Sequence, residues 1–249
     1  MNYMVKVSNL ALTYQTSEGE TQAIENISFK INEGEFVGII GPSGCGKSTM
    51  LSIIAGLLKP TRGSVELPYG KGSIGYMLQK DSLFPWRTIR QNVLLGPEIN
   101  KTVKESSDYA DELLKTYGLW DFKNSFPAAL SGGMRQRAAL IRTLVMRPKL
   151  LLLDEAFSAL DYQTRLAVSD DIHSIIKKEN KTAIMVTHDI SEAVSMADRV
   201  IVLTRRPARI RSVYDIKWEE GADTPLKRRE QDVFRSYFNK IWRDIDAHI

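Results

Sequence analysis

The feature that most constrains this chain is a glycine-rich stretch, GPSGCGKST, which runs from Gly41 to Thr49. It follows FVGII, an apolar run of strand-forming residues, and it precedes STMLSIIAGLL, in which apolar residues recur at helical intervals. A strand, a glycine loop and a helix in this order predict a phosphate site made of backbone N–H groups and the positive end of a helix dipole. The alternative, a glycine turn that happens to precede a lysine, leaves both flanking patterns unexplained.

The residue types in this loop suit separate tasks at a nucleotide. Glycine allows backbone conformations that are closed to residues with a Cβ, so successive N–H groups can point at phosphate oxygens. Lys47 would supply a mobile charge to the β- and γ-phosphates, and the Ser48 hydroxyl is a hard oxygen ligand of the kind that Mg²⁺ prefers. Cys45 is expected to contribute its backbone N–H rather than its thiol, because no paired base supports a catalytic cysteine. The predicted nucleotide-binding residues of the loop are Gly41, Pro42, Ser43, Gly44, Cys45, Gly46, Lys47, Ser48 and Thr49.

A second segment ends an apolar run in two adjacent carboxylates. The sequence KLLLL before Asp154 is typical of a fully buried strand, and such a strand normally ends in a polar residue only where chemistry or a turn requires one. Side chains of neighbouring strand residues point in opposite directions, so Asp154 and Glu155 cannot share one role. Asp154 suits the shell of a Mg²⁺ ion, and Glu155 suits a general base for an attacking water. A solvated turn is the alternative, and it does not explain the leucines.

With LSGGMRQR at Leu130 to Arg137 between these segments, the chain resembles the nucleotide-binding subunits of ATP-binding cassette (ABC) transporters. The resemblance covers about Val5 to Ile210. It implies an α/β fold of the P-loop NTPase type, with an inserted α-helical subdomain and an N-terminal antiparallel β region. It also implies an ATPase that uses ATP and Mg²⁺. The implied catalytic residues are Lys47, Gln79, Glu155 and His188, and the implied metal-binding residues are Ser48, Gln79 and Asp154.

Some residues take their roles from the resemblance alone. It implies that Tyr14 stacks on the adenine, that Gln79 senses the γ-phosphate and Mg²⁺, and that His188 contacts the γ-phosphate. Tyr14 could instead be an ordinary strand aromatic, Gln79 could cap a strand, and a lone histidine is more often structural. His188, however, ends the apolar run TAIMVTH, at the edge of an α/β sheet where ligands bind. His173 and His248 have no such context and are assigned no role.

In this family, the LSGG segment serves the ATP of a second copy. The resemblance implies that Ser131, Gly132 and Gly133 close in trans over the nucleotide held by the other subunit, and that Asp161 in SALD communicates across the same dimer. Serine is a good helix N-cap, paired glycines allow close backbone approach, and a helix N-terminus favours an anion. Without the other motifs, the same three residues would fit any helix-capping loop.

Composition restricts the compartment and the partners. At 249 residues and 43% hydrophobic content, the chain can bury the core of one large α/β domain or two small ones. No segment approaches the roughly 20 apolar residues that cross a bilayer, and MNYMVKVSNL lacks the pattern of a secretory signal. A single cysteine fits a reducing compartment, and a formal charge of +4 is too mild to indicate nucleic-acid binding. We therefore expect a peripheral protein at the cytoplasmic face of the cell membrane, held there by a partner.

We predict a single domain, residues 1–249, that has three parts. Its catalytic core comprises residues 1–80 and 150–210, its helical subdomain residues 81–149, and its C-terminal extension residues 211–249. Within the subdomain, we predict helical structure from Asp108 to Tyr117 and on to Leu130. The segment from Leu226 to Ile249 is predicted to be one amphipathic helix, and packing against the core is its favoured role.

Two basic clusters interrupt an otherwise balanced charge. The first follows LSGG, and the second follows Leu203, the predicted end of the last core strand. Solvated faces are the expected explanation, although anionic headgroups would suit either cluster. The two clusters consist of Arg135, Arg137, Arg142, Arg147 and Lys149, and of Arg205, Arg206, Arg209 and Arg211.

A finer resemblance begins just after Gln79. The run LQKDSLFPWRTIRQNV, the variant DEAFSALD and the exit RRPARI are similar to the nitrate, sulfonate and taurine importer group of bacterial ATP-binding subunits. Residues 84–87, FPWR, fall where this family docks the coupling helices of its permease, and a tryptophan that fills the subdomain core is the alternative. Ala156 stands where proline is usual in this group, which loosens the turn after Glu155 but removes no catalytic group.

The resemblance thus implies an importer subunit that works as a homodimer on membrane permease subunits and, indirectly, with an extracellular solute-binding protein. An ABC ATPase that acts on DNA or ribosomes is the alternative, but the sequence contains neither a long coiled-coil insertion nor a second cassette. A scaffold without hydrolysis is opposed by the intact set of Lys47, Asp154, Glu155 and His188. The solute contacts lie in other subunits, so the importer group indicates only an oxyanion or a related compound.

Overall fold

The computed structural model describes residues 3–17 and 19–246, so His248 and the end of the predicted tail helix lie outside the described residues. The strands are β1 (Tyr3–Thr16), β2 (Gly19–Asn32), β3 (Phe36–Ile40), β4 (Arg62–Glu66), β5 (Ile74–Met77), β6 (Leu150–Asp154), β7 (Thr182–Thr187), β8 (Arg199–Leu203) and β9 (Ile210–Asp215). In the described ranges they form a three-stranded antiparallel sheet, β2-β1-β4, and a six-stranded sheet, β5-β6-β7-β3-β8-β9. The predicted α/β class and N-terminal antiparallel region are therefore confirmed.

Helices and the small sheet cover the two faces of the large sheet. The helices are α1 (Lys47–Ile54), α2 (Ile89–Val93), α3 (Leu95–Ile99), α4 (Val103–Thr116), α5 (Gly132–Leu144), α6 (Tyr162–Lys178), α7 (Ile190–Met196), α8 (Pro225–Glu230) and α9 (Asp232–Asp246). Val37 and Ile39 of β3 pack in one cluster with α1 and the small sheet, whereas Phe36 and Ile40 pack in another with α5, α6 and α7. Burial on both faces explains why β3 is apolar at nearly every position.

Parallel register gathers the functional loops at one edge of the large sheet. Strands β5, β6, β7, β3 and β8 run parallel, with Ile40 opposite Thr187 and Asp154 opposite Val186. The carboxyl ends of β3, β6 and β7 therefore meet, which is where an open α/β sheet binds ligands. The loops that leave these three strands carry the glycine-rich stretch, the second carboxylate and the histidine predicted to contact phosphate.

Two strand predictions need correction. Strand β9 pairs antiparallel with β8, so Leu203 does not end the last core strand, and β9 crosses the expected boundary between residues 210 and 211. The residues up to Asp215 belong to the sheet and not to an extension. Strand β5 ends at Met77, so Gln79 lies in the loop beyond the strand that it was expected to end.

The helical subdomain contains less helix than the sequence pattern predicted. Helix α4 begins earlier than expected, at Val103, and ends before Gly118, whose φ of 71° lies in the left-handed region that closes a helix. The path to Leu130 then contains only short 3₁₀ segments, Trp120–Phe122 and Pro127–Ala129. Proline at the start of the second segment prevents continuation of a longer helix through it.

The C-terminal extension packs on the core as two helices instead of one. Gln231 adopts an extended conformation, with φ of −78° and ψ of 141°, and separates α8 from α9. Ile241 of α9 is fully buried, which confirms the expected packing against the core. Buried Arg228 of α8 donates hydrogen bonds to the carbonyl oxygens of Ala222, at 3.1 Å, and Ser195, at 2.9 Å, and so ties the extension to the end of α7. No helix among the described residues is both long enough and apolar enough to span a bilayer.

Candidate nucleotide site

The glycine-rich stretch forms a loop that only glycine fits at two positions. Gly44 and Gly46 have φ values of 71° and 120°, and a Cβ on Gly46 would lie 3.1 Å from the carbonyl oxygen of Ala23. Nζ of Lys47 donates hydrogen bonds across the loop to the carbonyl oxygens of Gly41, at 2.8 Å, and Pro42, at 3.0 Å. The ammonium group is therefore held against the loop, where an incoming phosphate would meet it.

The two halves of the site meet at Ser48 and Asp154. The Ser48 hydroxyl donates a 2.7 Å hydrogen bond to Oδ1 of Asp154, and the Tyr76 hydroxyl donates one of 3.1 Å to Oδ2. Burial and the neighbouring carboxylate raise the pKa of Tyr76 to about 12, so it remains a donor at neutral pH. Among the described residues there is no cluster of three or more His, Cys, Asp or Glu side chains that could hold a metal by itself. A hydroxyl beside one carboxylate fits Mg²⁺, which is usually held by one or two protein oxygens together with substrate phosphates and water.

Glu155 and His188 form a second pair beside the first. Glu155 has a φ of 46°, and its amide donates a 2.9 Å hydrogen bond to the carbonyl oxygen of Val186 on β7. Its Oε2 lies 3.3 Å from Nδ1 of His188, whose side chain is about half exposed. Asp154 turns toward Ser48 while Glu155 turns toward His188, and their separate roles as metal ligand and general base stay predictions. The pair therefore places a carboxylate that could accept a proton from water beside an imidazole that could donate a hydrogen bond to an anion.

Gln79 is not joined to the Ser48–Asp154 pair in this conformation. Its Nε2 donates a 3.2 Å hydrogen bond to the Ser158 hydroxyl, which donates one of 2.9 Å to the carbonyl oxygen of Glu155. Gln79 therefore contacts the loop that carries the proposed base. Its assignment as a metal ligand and γ-phosphate sensor stays a prediction.

Tyr14 lies next to the helix that leaves the phosphate loop. Its hydroxyl is 3.0 Å from Oγ1 of Thr49, and the side chain of Tyr14 is partly exposed. Part of the Tyr14 side chain is therefore open to solvent beside a predicted nucleotide-binding residue, and an adenine-stacking aromatic must be accessible in this way. Stacking on adenine remains a prediction of the resemblance.

The residues predicted to act in trans lie apart from this group. The Ser131 hydroxyl caps α5 by accepting a 3.3 Å hydrogen bond from the amide of Met134. Gly132 and Gly133 lie close to Leu160 and Val168, where added Cβ atoms would come within 3.0 and 2.7 Å of their side chains. The described contacts of Gly132 and Gly133 thus lead toward α6 and not toward the phosphate loop of their own chain.

Asp161 also serves as a helix cap. Its Oδ1 accepts a 3.0 Å hydrogen bond from the amide of Thr164 at the start of α6. Hydrogen bonds from Thr164 lower the pKa of the exposed Asp161 carboxyl. Asp161 is thus charged at neutral pH and held at the surface, where a second copy could reach it.

Sequence reasoning missed one residue that contacts the phosphate loop. Arg206 donates hydrogen bonds of 3.2 Å from Nε and 2.8 Å from Nη2 to the carbonyl oxygen of Gly44. Its neighbour Arg205 is exposed, and its side chain takes part in no hydrogen bond or ion pair among the described residues, although its backbone carbonyl accepts one from the Thr204 hydroxyl. The signal available in the sequence was only the basic cluster, which does not distinguish these two arginines.

The other basic cluster proves to be largely structural. Arg135 and Arg142 of α5 both bind the loop after Gln79: Nε of Arg135 lies 3.0 Å from Oδ2 of Asp81, and Nη2 of Arg142 donates a 2.7 Å hydrogen bond to the backbone carbonyl of Asp81. Burial lowers the pKa of Arg142. Arg147 lies over the ring of Tyr109, with its guanidinium carbon 4.0 Å from the ring centroid. The solvated face expected for this cluster is therefore wrong for Arg135 and Arg142, whereas Arg147 is exposed as expected while it also contacts Tyr109.

The FPWR segment presents a tryptophan at the surface. Trp86 is 70% exposed, and its ring stacks on that of Phe84 with centroids 5.0 Å apart, so Trp86 does not fill the subdomain core. Fully buried Asn92 holds the turn, because its amide donates to the carbonyl oxygens of Phe84 and Arg87, both at 3.1 Å. Arg87 forms an ion pair with Glu98. An exposed aromatic on a rigid turn is a typical anchor of a protein interface.

Comparison with known proteins gives relatives across nearly the whole chain. The family model described as ABC transporter matches residues 24–158. An uncharacterised ABC transporter ATP-binding protein of Bacillus subtilis, YtlC, is 44% identical over 247 residues, which cover 97% of this chain and 95% of that protein. The taurine import ATP-binding protein TauB of Jannaschia sp. is 38% identical over 258 residues, covering 98% of this chain and 95% of TauB.

A solved structure supports the same assignment. The dimeric structure of a post-hydrolysis state of the ATP-binding cassette MJ0796, bound to ADP and Pi, matches with a TM-score of 0.73 and 34% identity. The match covers 87% of this chain and 100% of that one. Sequence, fold and the geometry of the site therefore agree on one family.

Proposed function

Because this chain belongs to the ABC transporter family of ATPases, we propose that it is the ATP-hydrolysing subunit of a bacterial importer. The observation that carries this proposal is the convergence of Lys47, the Ser48–Asp154 pair and the Glu155–His188 pair at one sheet edge. Each group is needed at a different point of ATP hydrolysis. No other arrangement among the described residues places a phosphate loop beside a carboxylate and an imidazole.

Hydrolysis would proceed by attack of water on the γ-phosphorus of ATP, which breaks its bond to the β–γ bridging oxygen and yields ADP and inorganic phosphate. The phosphate loop binds the phosphates through its backbone N–H groups, and Lys47 neutralises charge that develops on the transferred group. Glu155 accepts a proton from the attacking water, and His188, 3.3 Å away, donates a hydrogen bond to a γ-phosphate oxygen. Ser48 and Asp154 would hold Mg²⁺, which supplies charge neutralisation when it is bound. Tyr14 would orient the adenine by stacking.

A homodimer would complete each site. Ser131, Gly132 and Gly133 of one copy would close over ATP bound by the other, with Asp161 reporting occupancy across the interface. The MJ0796 relative is a dimer with ADP and Pi bound, which supports this arrangement. The N-terminus of α5 favours an anion, and the paired glycines there permit close approach of the backbone. ATP binding would thus close the dimer, and hydrolysis would reopen it.

The permease would bind at the helical subdomain. Trp86, 70% exposed on a turn fixed by Asn92, supplies the anchor that the interface requires. The loop after Gln79 is tied to α5 by Arg135 and Arg142, so it connects the nucleotide site, the LSGG helix and the docking turn. Through this connection, the movement that closes the ATPase dimer would be transmitted to two permease copies. The dimer would lie at the cytoplasmic face of the membrane.

The solute belongs to the nitrate, sulfonate and taurine class in this proposal. Its support is the resemblance of the segment after Gln79 and the name of a relative, the taurine import ATP-binding protein TauB. Recognition of the solute would rest on the permease and on an extracellular solute-binding protein.

Membrane capture and uptake would test this proposal together. A tagged chain at native expression level is purified from solubilised membranes, and a deletion strain is assayed for uptake of labelled taurine, nitrate and alkanesulfonates. We expect a permease to co-purify and uptake of one solute to return with the wild-type chain but not with Glu155→Gln. Co-purification of ribosomes or DNA-bound proteins without a permease would refute the importer role.

A further inference from the structure

A cleft beside the phosphate loop has one wall that the ATPase reaction does not use. The cleft, with a volume of about 500 Å³, opens between the phosphate loop, the segment that follows β7, and the C-terminal helix α9. Its walls include Ser43 and His188 on the nucleotide side and Phe238, Trp242 and Ile245 on the α9 side. The apolar wall thus lies across the cleft from phosphate-loop residues that are predicted to bind nucleotide.

The apolar wall is rigid and open. Phe238 and Trp242 stack with ring centroids 6.2 Å apart and an interplanar angle of 14°, yet Trp242 is 51% exposed. The opposite side of α9 is fixed, because Ile241 is fully buried and Oδ2 of Asp244 accepts a 2.7 Å hydrogen bond from the Tyr214 hydroxyl on β9. An indole held half exposed beside a cleft leaves an apolar surface for a binding partner.

Tyr162 is an exposed aromatic on the loop predicted to act across the dimer. It directly follows Asp161 and is 67% exposed, and its side chain takes part in no hydrogen bond or ring contact among the described residues. This loop is linked to the cleft within one chain, because Arg165 donates a 2.9 Å hydrogen bond to the carbonyl oxygen of Leu160 and lies 3.3 Å from Asp189 in the cleft wall. If this loop and the neighbouring cleft both lie near the two-fold axis of a dimer, each loop would face the cleft of the other copy as well.

We propose that Tyr162 of the second copy enters this cleft and packs against Phe238 and Trp242 when ATP closes the dimer. The inference rests on the proposed function, since it needs Asp161 to face the other subunit. Tyrosine suits the place: its ring matches the apolar wall, and its hydroxyl would meet Ser191 and His188 on the polar side. Because the interface has two-fold symmetry, the contact forms twice in each dimer. The C-terminal helix thereby becomes part of the ATP-driven interface.

Dimerisation of a hydrolysis-deficient background tests the contact. In Glu155→Gln chains with saturating ATP, sedimentation gives the dimer Kd for Tyr162→Ala, Trp242→Ala and the double variant. We expect each single change to weaken dimerisation about tenfold, because two aromatic contacts are lost per dimer. The double variant should lose little more, and Tyr162→Phe should keep most of the affinity. Tyr69→Ala is the matched control, since Tyr69 is 43% exposed at the cleft by the amino ends of β3 and β7 and should have no effect.

Cross-linking between differently tagged copies tests the geometry directly. One chain carries Tyr162→Cys and the other Trp242→Cys, and a short bismaleimide should join them only with ATP. Chains with Cys45 alone give the background, which should be low because Cys45 is buried. Additive effects of the two alanine changes, or an ATP-dependent dimer without cross-link, would overturn the inference and leave the ATPase proposal standing. Absence of any ATP-dependent dimer in Glu155→Gln would overturn both the Tyr162 contact and the proposed ATPase homodimer. Weakened ATP binding by the Trp242→Ala monomer would overturn the contact and show that the cleft binds nucleotide instead.

Discussion

The Ser48 hydroxyl donates a 2.7 Å hydrogen bond to Oδ1 of Asp154, a residue 106 positions later in the chain. This bond joins the start of α1 to the end of β6 and brings together two of the three predicted Mg²⁺ ligands. The parallel neighbours β6, β7 and β3 make the contact possible, because their carboxyl ends lie at the same sheet edge. Lys47 and Glu155 adjoin Ser48 and Asp154 in sequence, and Oε2 of Glu155 lies 3.3 Å from Nδ1 of His188.

Replacement of the proposed base should separate ATP binding from turnover. Glu155→Gln keeps the size of the side chain but removes its basicity, so we expect the ATPase rate to fall by about 10²- to 10⁴-fold. ATP affinity should stay near the wild-type value, and ATP should trap a stable dimer. Steady-state ATPase assays, nucleotide binding and sedimentation check the three outcomes. Hydrolysis near the wild-type rate would show that Glu155 is not the base.

Mixed dimers should reveal whether the LSGG segment acts in trans. One chain carries Lys47→Ala and its partner Gly132→Asp, which places a carboxylate where the γ-phosphate is expected. If the motifs act in trans, the mixed dimer has one site with both lesions and one site with neither. ATPase activity should then recover, to half of the wild-type rate if the two sites are independent and to less if they are coupled.

Both homodimers serve as controls for this complementation, since each has two defective sites. Different tags on the two chains confirm that mixed dimers have formed. A Cβ on Gly132 would lie 3.0 Å from Leu160, so thermal melting should also show that the variant is folded. Verified mixed dimers with no recovery would contradict independent sites acting in trans.

Truncation of Trp86 should weaken recruitment to the membrane without affecting the isolated ATPase. Trp86 is 70% exposed, so Trp86→Ala leaves no cavity in the core, and loss of an interface anchor should reduce permease recovery about tenfold or more. Val213→Ala, an exposed apolar change on β9, is the matched control. Quantitative pull-down from membranes measures the effect. Trp86→Ala that melts early, or that is recovered like the control, would count against the docking role.

Loss of Arg206 should affect ATP binding more than turnover. Arg206→Ala removes both hydrogen bonds to the Gly44 carbonyl, so we expect the KM for ATP to rise about three- to tenfold while kcat changes less. Arg206→Lys should restore part of the affinity, because an ammonium group can donate to the same oxygen. Arg205→Ala changes the charge equally at an exposed neighbour and should leave KM unaltered. Equal effects of the two alanine variants would show that only overall charge matters.

His173 should make the fold sensitive to mild acid. Burial, followed by the charge of Arg228, lowers the pKa of His173 from 6.5 to about 4 in the folded state. The unfolded chain therefore takes up the proton first, and the free energy of unfolding should decrease as the pH falls from 6.5 toward 4. His173→Gln, which can still accept a hydrogen bond from Arg228, should remove this contribution, on the order of 3 kcal/mol at pH 4. Denaturant unfolding at several pH values measures the difference between the two proteins.

Predictions from the sequence succeeded where local pattern and chemistry coincide. The glycine loop, the buried strand before Asp154 and the strand before His188 were each recognisable from consecutive residues. Their apolar runs require burial on both faces, and polar residues at the ends of such runs predict a ligand site. The ABC family assignment followed from these motifs and their order, and the comparisons confirm it.

Sequence predictions failed where long-range contacts or local backbone conformation decided the outcome. Gln79 was expected to end a strand, but it lies beyond β5 and binds Ser158. The tail helix was expected to be continuous, but Gln231 adopts an extended conformation. Neither outcome follows from periodicity, because hydrogen bonds and packing from distant segments compete with local preference.

By itself, the sequence determined that this chain has a phosphate loop, a carboxylate pair and the signature of an ABC ATPase. Only the tertiary structure decided that Arg206 and not Arg205 holds the loop, through bonds to Gly44 that span 162 positions. It also decided that Trp242 remains half exposed while the preceding residue, Ile241, is buried. Residue type and spacing limit which groups can react, but which side chains meet depends on strand order and helix packing. Those are properties of the folded chain as a whole, and no short segment encodes them.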